Sequence, residues 1–365
     1  MQRIKIFWGE NDPWGFQAPT DEERHRAISS KNPNSPYSKF VGNERALKKL
    51  KASAFDALGR PDHRCRELAF SLFGPPSSGK TTLAALHAKT LDLPFIEIHP
   101  KSVKTMDDFL KEIERVLSIE GVPLVEVRRR NYFFLPPCMV FIDEVHALSD
   151  GMVQGLLKAT EYSDSVMATE SGKTVNTFNV GWMIATTDEG KLFDAFRSRF
   201  TPVMLTYLTK KEVATIIKLN HPEMDDKVCD LVAHYSGRVP RKALEFARYM
   251  KLIKAMQPED TWEQIAFEVA EDEGIDEFGM SLVHLKILRA LKDGPIAKNR
   301  MVNVVGRKVE ELERYIMPVL LTSTDDQPAM VEVQSRGFVL TDAGFAELEK
   351  RGIEKVSDDL SESEK

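Results

Sequence analysis

Three cysteines in 365 residues, Cys65, Cys138 and Cys229, are too scattered and odd in number for a disulfide framework, and they match no metal-binding spacing. A reducing, cytoplasmic setting is therefore expected. Long apolar runs are also missing: the opening MQRIKIFWGENDPW holds too short an apolar stretch for a secretory signal. Nothing approaches the roughly 18 apolar residues that span a membrane. Neither charge sign dominates, since a net charge of −6 is mild for this length, and bulk composition announces no nucleic-acid partner. No internal repeat is found.

What is present is an ordinary globular composition in a chain longer than one hydrophobic core usually serves, so several domains in succession are expected. Residues 1–36 combine aromatics (Phe7, Trp8, Trp14, Phe16) with the proline-studded SSKNPNSPYS and read as an extension and linker whose aromatics dock on the body. Over 37–207, apolar strand-like runs alternate with helical patterns. The strands are Leu68 to Phe73, Phe95 to Ile98, Met139 to Ile142 and Trp182 to Ala185; the helices run from Lys80 to Leu91 and near Asp107 to Leu117. Such alternation predicts an α/β core with a parallel sheet covered on both faces. From Thr209 the strands stop. Capping-box patterns at Thr209 and Thr261, with Pro240 suited to a first helical position, predict a small helical domain over 208–275. Over 276–352, short helices precede two β-rich runs, Ala329 to Val333 and Gly337 to Leu340, separated by Gln334-Ser335-Arg336, which suggests a winged helix. The tail, 353–365, is acidic, polar and expected to be disordered.

Gly74-Pro75-Pro76-Ser77-Ser78-Gly79-Lys80-Thr81 fits G-x-x-x-x-G-K-[ST] and follows an apolar strand and opens a helix, as the motif requires. Backbone N–H groups of such a loop wrap phosphate oxygens, the helix N-terminus adds partial positive charge, and Lys80 adds a full one. The hydroxyl of Thr81 can hold Mg²⁺, and Thr82 follows it. A chance glycine-rich turn is the plainer alternative. Asp143 and Glu144 end an apolar strand, where ligands of parallel sheets sit. Asp143 would hold Mg²⁺ and Glu144 would polarise an attacking water; alone, two acids here are as well explained by a strand-to-helix turn with an N-cap.

Thr186 and Thr187 end the next strand, within reach of a γ-phosphate or simply forming a turn. In Phe196-Arg197-Ser198-Arg199-Phe200 the arginines are either an exposed surface face or a finger supplied to another subunit's phosphate. Arg241, at a predicted helix start, could likewise reach phosphate, or be a generic helix-surface arginine.

The order of these motifs resembles the AAA+ ATPases and, within them, the RuvB family of Holliday-junction branch-migration motors, over about residues 36–350. The superfamily marks are FVGNE, GPPSSGKTTLA, FIDEVHAL, ATT before LFDAFRSRF, and YSGRVPRKAL; GIDEFGM leading into a winged helix is the narrower one. The resemblance implies an ATP- and Mg²⁺-dependent, ring-forming and hexameric DNA motor. It assigns Lys80 and Thr81 to phosphate and Mg²⁺, Asp143 to Mg²⁺, Glu144 to the catalytic water and Thr187 to the first sensor. It makes Arg199 the first choice and Arg197 the second for a finger acting in trans, Arg241 the second sensor in a helical lid, and Phe40 and Val41 the flanks of the adenine. Residues 161–180, with Gly172 at a turn, align with the hairpin that docks a RuvA-like junction-binding partner. The chain departs from the family at Ser77-Ser78, where Gly-Leu is usual, at Ala147 and Asp188, where arginines are usual, and in a more polar hairpin.

Between Lys286 and Lys308 lie seven basic residues (Lys286, Arg289, Lys292, Lys298, Arg300, Arg307, Lys308) against one acid, Asp293. Such a face tracks duplex or junction DNA through its phosphates with little sequence choice; an ordinary solvated helix face is the alternative. Arg300, Arg307 and Lys308 are the expected backbone contacts, and Arg336, on the predicted hairpin tip, the residue expected in the minor groove. Phe338 replaces a second wing arginine usual in the family. The basic run Arg128-Arg129-Arg130 reads as a solvated loop. Two other functions remain open: a clamp-loader-like or helicase-loader ATPase, and a nucleotide-switched DNA-binding regulator.

Overall fold

Cys138–Ile142 and Val180–Thr186, apolar along nearly their whole length, are buried at every position and form the centre of a parallel sheet. The computed structural model of the chain describes residues 19–60, 65, 68–121, 125–126, 131–161, 165–187, 190, 192–312, 316–321, 323 and 328–352. The aromatics of 1–18, Arg128 to Arg130, Asp188 and the acidic tail lie outside the described residues. The chain divides into two units, 1–206 and 207–365.

In the first unit the elements run α1 (Asp21–Ile28), α2 (Glu44–Leu58), β1 (Ala69–Phe73), α3 (Lys80–Thr90), β2 (Phe95–Ile98), α4 (Met106–Ile119), β3 (Val125–Glu126), β4 (Tyr132–Phe134) and β5 (Cys138–Ile142). They continue with α5 (Asp150–Ala159), β6 (Val166–Ala168), β7 (Thr174–Asn176), β8 (Val180–Thr186), α6 (Asp194–Arg197) and β9 (Thr201–Met204). The main sheet is parallel, in the order β2-β5-β8-β1-β9. The chain leaves β1 for the far edge, returns strand by strand, and ends on the other side of β1. That reversal of winding beside β1 is where parallel sheets open a crevice for ligands.

The period of two along the strands splits the core in half. Val140, Ile142, Trp182 and Ile184 pack on one face with Phe109, Ile113 and Leu117 of α4, while Met139, Phe141, Met183 and Ala185 pack on the other with Leu47, Leu50 and Leu83. The edge strand β9 is not expected from the sequence: it carries Pro202, exposes three of its four residues, and so shows neither alternation nor an apolar run. A second sheet, β3-β4-β7-β6, is built of two- and three-residue strands, too short to register as a pattern.

The second unit begins with α7 (Lys210–Asn220), α8 (Asp226–Tyr235), α9 (Pro240–Met256) and α10 (Trp262–Asp272) around one apolar cluster. Thr209 and Thr261 make the capping boxes their sequences announce, and Pro240 takes the first position of α9. A second cluster is enclosed by α11 (Leu282–Leu291), α12 (Lys298–Val305), α13 (Val309–Glu311), α14 (Met317–Leu321), β10 (Val331–Gln334), β11 (Gly337–Leu340) and α15 (Asp342–Lys350). This is a winged helix. Gln334 pairs with Gly337, so Ser335 and Arg336 alone make the turn, a tighter wing than the three-residue loop expected. Ile296 and Phe338 exchange backbone hydrogen bonds of 3.0 and 2.9 Å, adding a third strand contact. A Cβ on Gly337 would come within 2.3 Å of the Ile296 carbonyl oxygen, so glycine is required. Within GIDEFGM, Asp276 accepts from the N–H groups of Phe278 and Met280 at 3.0 and 2.9 Å and from Arg351 Nη1 at 2.5 Å, tying the motif to the end of α15.

Candidate functional site

The carboxyl ends of β1, β5 and β8 carry the loop from Gly74, the pair Asp143-Glu144 and the pair Thr186-Thr187 on neighbouring strands. Phe73 pairs in register with Thr186, so the loop from Gly74 and the segment from Thr187 leave neighbouring strands side by side. Gly79, with φ of +93°, is the residue before α3, and Ser77 also has a positive φ of +60°. Ser78 is buried and its N–H closes a turn onto Pro75. Lys80 is buried, and its ammonium donates to the carbonyls of Gly74 and Pro75 at 2.8 and 2.9 Å, which holds it over the loop. Thr81 and Thr82 follow in the first turn of the helix. A left-handed turn, a helix N-terminus and one ammonium folded over it are the donor set that a polyphosphate requires.

Phe40 reaches this loop from far earlier in the chain. A Cβ on Gly79 would lie 3.1 Å from the Phe40 ring, so this glycine also makes room for the aromatic. Val41 follows it. Tyr37, one turn earlier, shares a 2.6 Å hydrogen bond with His87 Nδ1 on α3, both groups fully enclosed. Burial pushes the Tyr37 phenol up and holds the His87 imidazole down at about 3, so both are neutral.

Asp143 and Glu144 follow β5. The Asp143 carboxylate accepts from the Glu144 N–H at 3.0 Å, and Glu144 sits in the left-handed region with φ of +50°. That unusual backbone aims its carboxylate toward the next strand, where the Thr187 hydroxyl donates to it at 3.4 Å. His146 was not singled out in the sequence. Its Nδ1 stands 2.7 Å from the Thr186 hydroxyl and 3.4 Å from the same Glu144 carboxylate oxygen that Thr187 reaches. Only its position two residues after Glu144 could have pointed to it.

The two candidate finger arginines are placed differently. Arg197, on α6, is half-exposed and pairs with Asp194 at 3.1 Å. Arg199 is more enclosed and lies 3.5 Å from Glu161, its Nε buried without a partner among the described residues. Residues 166–168 and 174–176 form the expected hairpin, with Gly172 at φ of +80° in its turn. Its tip is held down: Glu170 accepts from the N–H groups of Met106 and Asp107 at 3.1 and 3.0 Å. Asp107 in return accepts from the Ser171 N–H and hydroxyl at 2.8 and 2.6 Å. Ser171 holds the Asp107 carboxyl below its usual range.

In the second unit Arg241 is exposed at the second position of α9. The turn before it holds Gly237 and Arg238, both at positive φ; Arg238 donates to the Val319 carbonyl at 3.0 Å, joining the helical and winged-helix clusters. Arg300, Arg307, Lys308 and Arg336 are all exposed, and Arg307 lies 3.3 Å from Glu311. Phe338 is buried in the winged-helix core and is a packing position.

Residues 70–207 match the model of the AAA family, ATPase family associated with various cellular activities. The chain is 25% identical over 325 residues to the Holliday junction branch migration complex subunit RuvB of Thermotoga maritima, covering 85% of this chain and 89% of the relative. It is likewise 25% identical to the subunit of that name from Anaplasma marginale, over 84% of this chain and 89% of the relative. The solved structure of the Thermotoga maritima RuvB Holliday junction branch migration motor shares the fold, with a TM-score of 0.65 at 23% identity, over 85% of this chain and 95% of that one.

Proposed function

We propose that this chain, a RuvB-like ATPase of the AAA superfamily, is a ring-forming motor that spends ATP to move duplex DNA and so shift the branch point of a four-way junction. The observation that carries the reading is the meeting of Glu144, Thr187 and His146 at the strand ends beside the phosphate loop. A carboxylate with that support can hold and polarise a water for attack on the γ-phosphate.

Lys80 and the loop from Gly74 to Gly79 would hold the phosphates, and Phe40 and Val41 would flank the adenine. Thr81 and Asp143 are suited to hold Mg²⁺, which supplies charge neutralisation at the β- and γ-phosphates. Thr187 would orient the water, while Arg199, or Arg197, would complete the site from a neighbouring subunit and Arg241 would report the nucleotide to the helical lid. A site completed in trans implies a heterologous, closed interface, for which a hexamer is the family's arrangement. The reading takes 37–207 as motor core, 208–275 as lid and 276–352 as DNA-contacting module, with Arg300, Arg307, Lys308 and Arg336 on phosphates and groove. Residues 161–180 are the proposed dock for a RuvA-like partner. Among the described residues no helix is long and apolar enough to cross a membrane, which suits work on DNA in the cytoplasm.

The test is strand exchange on a synthetic four-way junction. The chain, with or without a junction-binding partner, is expected to release branch-migrated products in ATP, and its Glu144→Gln variant none. ATP turnover without any movement of the branch point would point to a loader or a nucleotide-switched regulator instead.

A further inference from the structure

Asn43 stands immediately before α2, where an asparagine usually caps the helix with its own side chain. Here it makes no cap. Its backbone lies in the left-handed region, φ of +50° and ψ of +43°, which asparagine tolerates better than most residues. The amide is turned instead toward two distant segments. Its Oδ1 accepts from the Thr206 N–H at 2.7 Å and the Thr206 hydroxyl at 3.1 Å, and its Nδ2 donates to the carbonyls of Thr206 at 3.3 Å and Ser78 at 3.4 Å.

Ser78 belongs to the phosphate loop, and Thr206 is the last residue of the first unit. The other end of the loop touches the same exit segment. Leu205 donates to the Phe73 carbonyl at 2.7 Å, and a Cβ on Gly74 would lie 2.6 Å from the Leu205 oxygen. The chain that leaves for the second unit is thus fastened to both the beginning and the end of the loop.

We infer that Asn43 is a positioning residue that transmits the conformation of the phosphate loop to the exit segment at Leu205-Thr206, and so to the second unit. This rests on the reading that the loop binds ATP. Phosphate oxygens engage the N–H groups of the loop, which moves the Ser78 peptide. The amide that grips Ser78 on one side and Thr206 on the other passes that movement on.

Two variants separate this from a role in folding. Asn43→Gly keeps the left-handed backbone and removes the bridge; Asn43→Asp keeps an acceptor for Thr206 and removes the donor to Ser78. Dyes on cysteines introduced at exposed Lys48 and Glu259 report the distance between the units in the full chain, with and without a saturating slowly hydrolysed ATP analogue. The parent protein is expected to show a nucleotide-dependent shift, and each variant to lose roughly half of it or more. A full shift in folded Asn43→Gly and Asn43→Asp overturns the inference, as does a parent that binds the analogue without any shift. A parent that fails to bind the analogue overturns the ATP reading and the inference together, and a direct nucleotide-binding titration identifies that case.

Discussion

Thr187 donates its hydroxyl to the Glu144 carboxylate across 3.4 Å, from a strand end 43 residues further along the chain. His146 Nδ1 stands 3.4 Å from the same carboxylate oxygen, so both contacts converge on Glu144 Oε2.

Glu144→Gln keeps the size of the side chain but replaces the carboxylate by a neutral amide, which cannot serve as the base proposed. Turnover is expected to fall by about 10² to 10⁴ with ATP binding kept, while Thr187→Val, which frees the carboxylate without removing it, costs less. Single-turnover hydrolysis and equilibrium binding of a fluorescent ATP analogue separate the two effects. Equal losses in both variants would mean that Thr187 acts on the phosphate and not through Glu144.

His87 and His284 are buried and neutral, held down to about 3 and about 4 by loss of solvent. In the unfolded chain each binds a proton near pH 6.5, so the unfolded state is favoured as the pH falls below that value, and the loss continues until the folded value is reached. Each histidine contributes up to ~1.4 kcal/mol per pH unit in that window and nothing above it. Replacing the His87 pair by Tyr37→Phe with His87→Leu removes one of the two. On going from about pH 7.5 to 5.5, urea denaturation should show the parent losing roughly 1 kcal/mol more than the double variant. Parallel losses would show that His87 takes up its proton in the folded protein at the same pH as in the unfolded chain.

The phosphate loop is legible in the sequence because its chemistry lies in eight consecutive residues between a strand and a helix. Asp143 and Glu144 are legible for the same reason. The support around Glu144 is not, since Thr187 meets it, and Thr186 meets His146, only through the register of β5 against β8. Asn43 misleads a local reading altogether: it occupies an N-cap position while its side chain serves Ser78 and Thr206. The edge strand β9 hides behind Pro202 and exposed side chains, and Phe338 belongs to the winged-helix core only because β11 turns it inward.

The hairpin proposed to dock a partner has its tip tied to the N-terminus of α4 by Glu170 and Asp107. Glu170→Ala leaves two helix N–H groups to solvent and frees the turn. Hydrogen exchange over 169–173 and 106–107 is expected to rise by about tenfold, with the rest of the first unit unchanged. If a junction-binding partner docks on the tip, its affinity for this variant rises, since the contacts no longer need to be broken first; unchanged affinity places the dock on the strands.

Arg336 stands exposed in a two-residue turn, and a single phosphate or groove contact has a definite signature. Arg336→Ala should weaken duplex binding several-fold and reduce the slope of log affinity against log salt by about 1, equally for unrelated sequences. Fluorescence anisotropy at several salt concentrations measures both. An unchanged slope would place the wing off the DNA and leave the α12 face, with Arg300, as the contact.

A finger that acts in trans makes a prediction no cis residue can match. Arg199→Ala and Glu144→Gln subunits are each expected to lose roughly 10³ in turnover when assembled alone. Mixed together, they form some interfaces in which an intact Glu144 faces an intact Arg199, and those sites regain activity. Turnover in the mixture should therefore exceed that of either variant and peak near equal proportions. Arg197→Ala distinguishes the two arginines: it removes the more exposed side chain, which pairs with Asp194. If Arg197→Ala shows the large loss and the rescue while Arg199→Ala loses only the Glu161 contact, the finger is Arg197. If no mixture regains activity, the site is complete within one chain and the ring is not needed for hydrolysis.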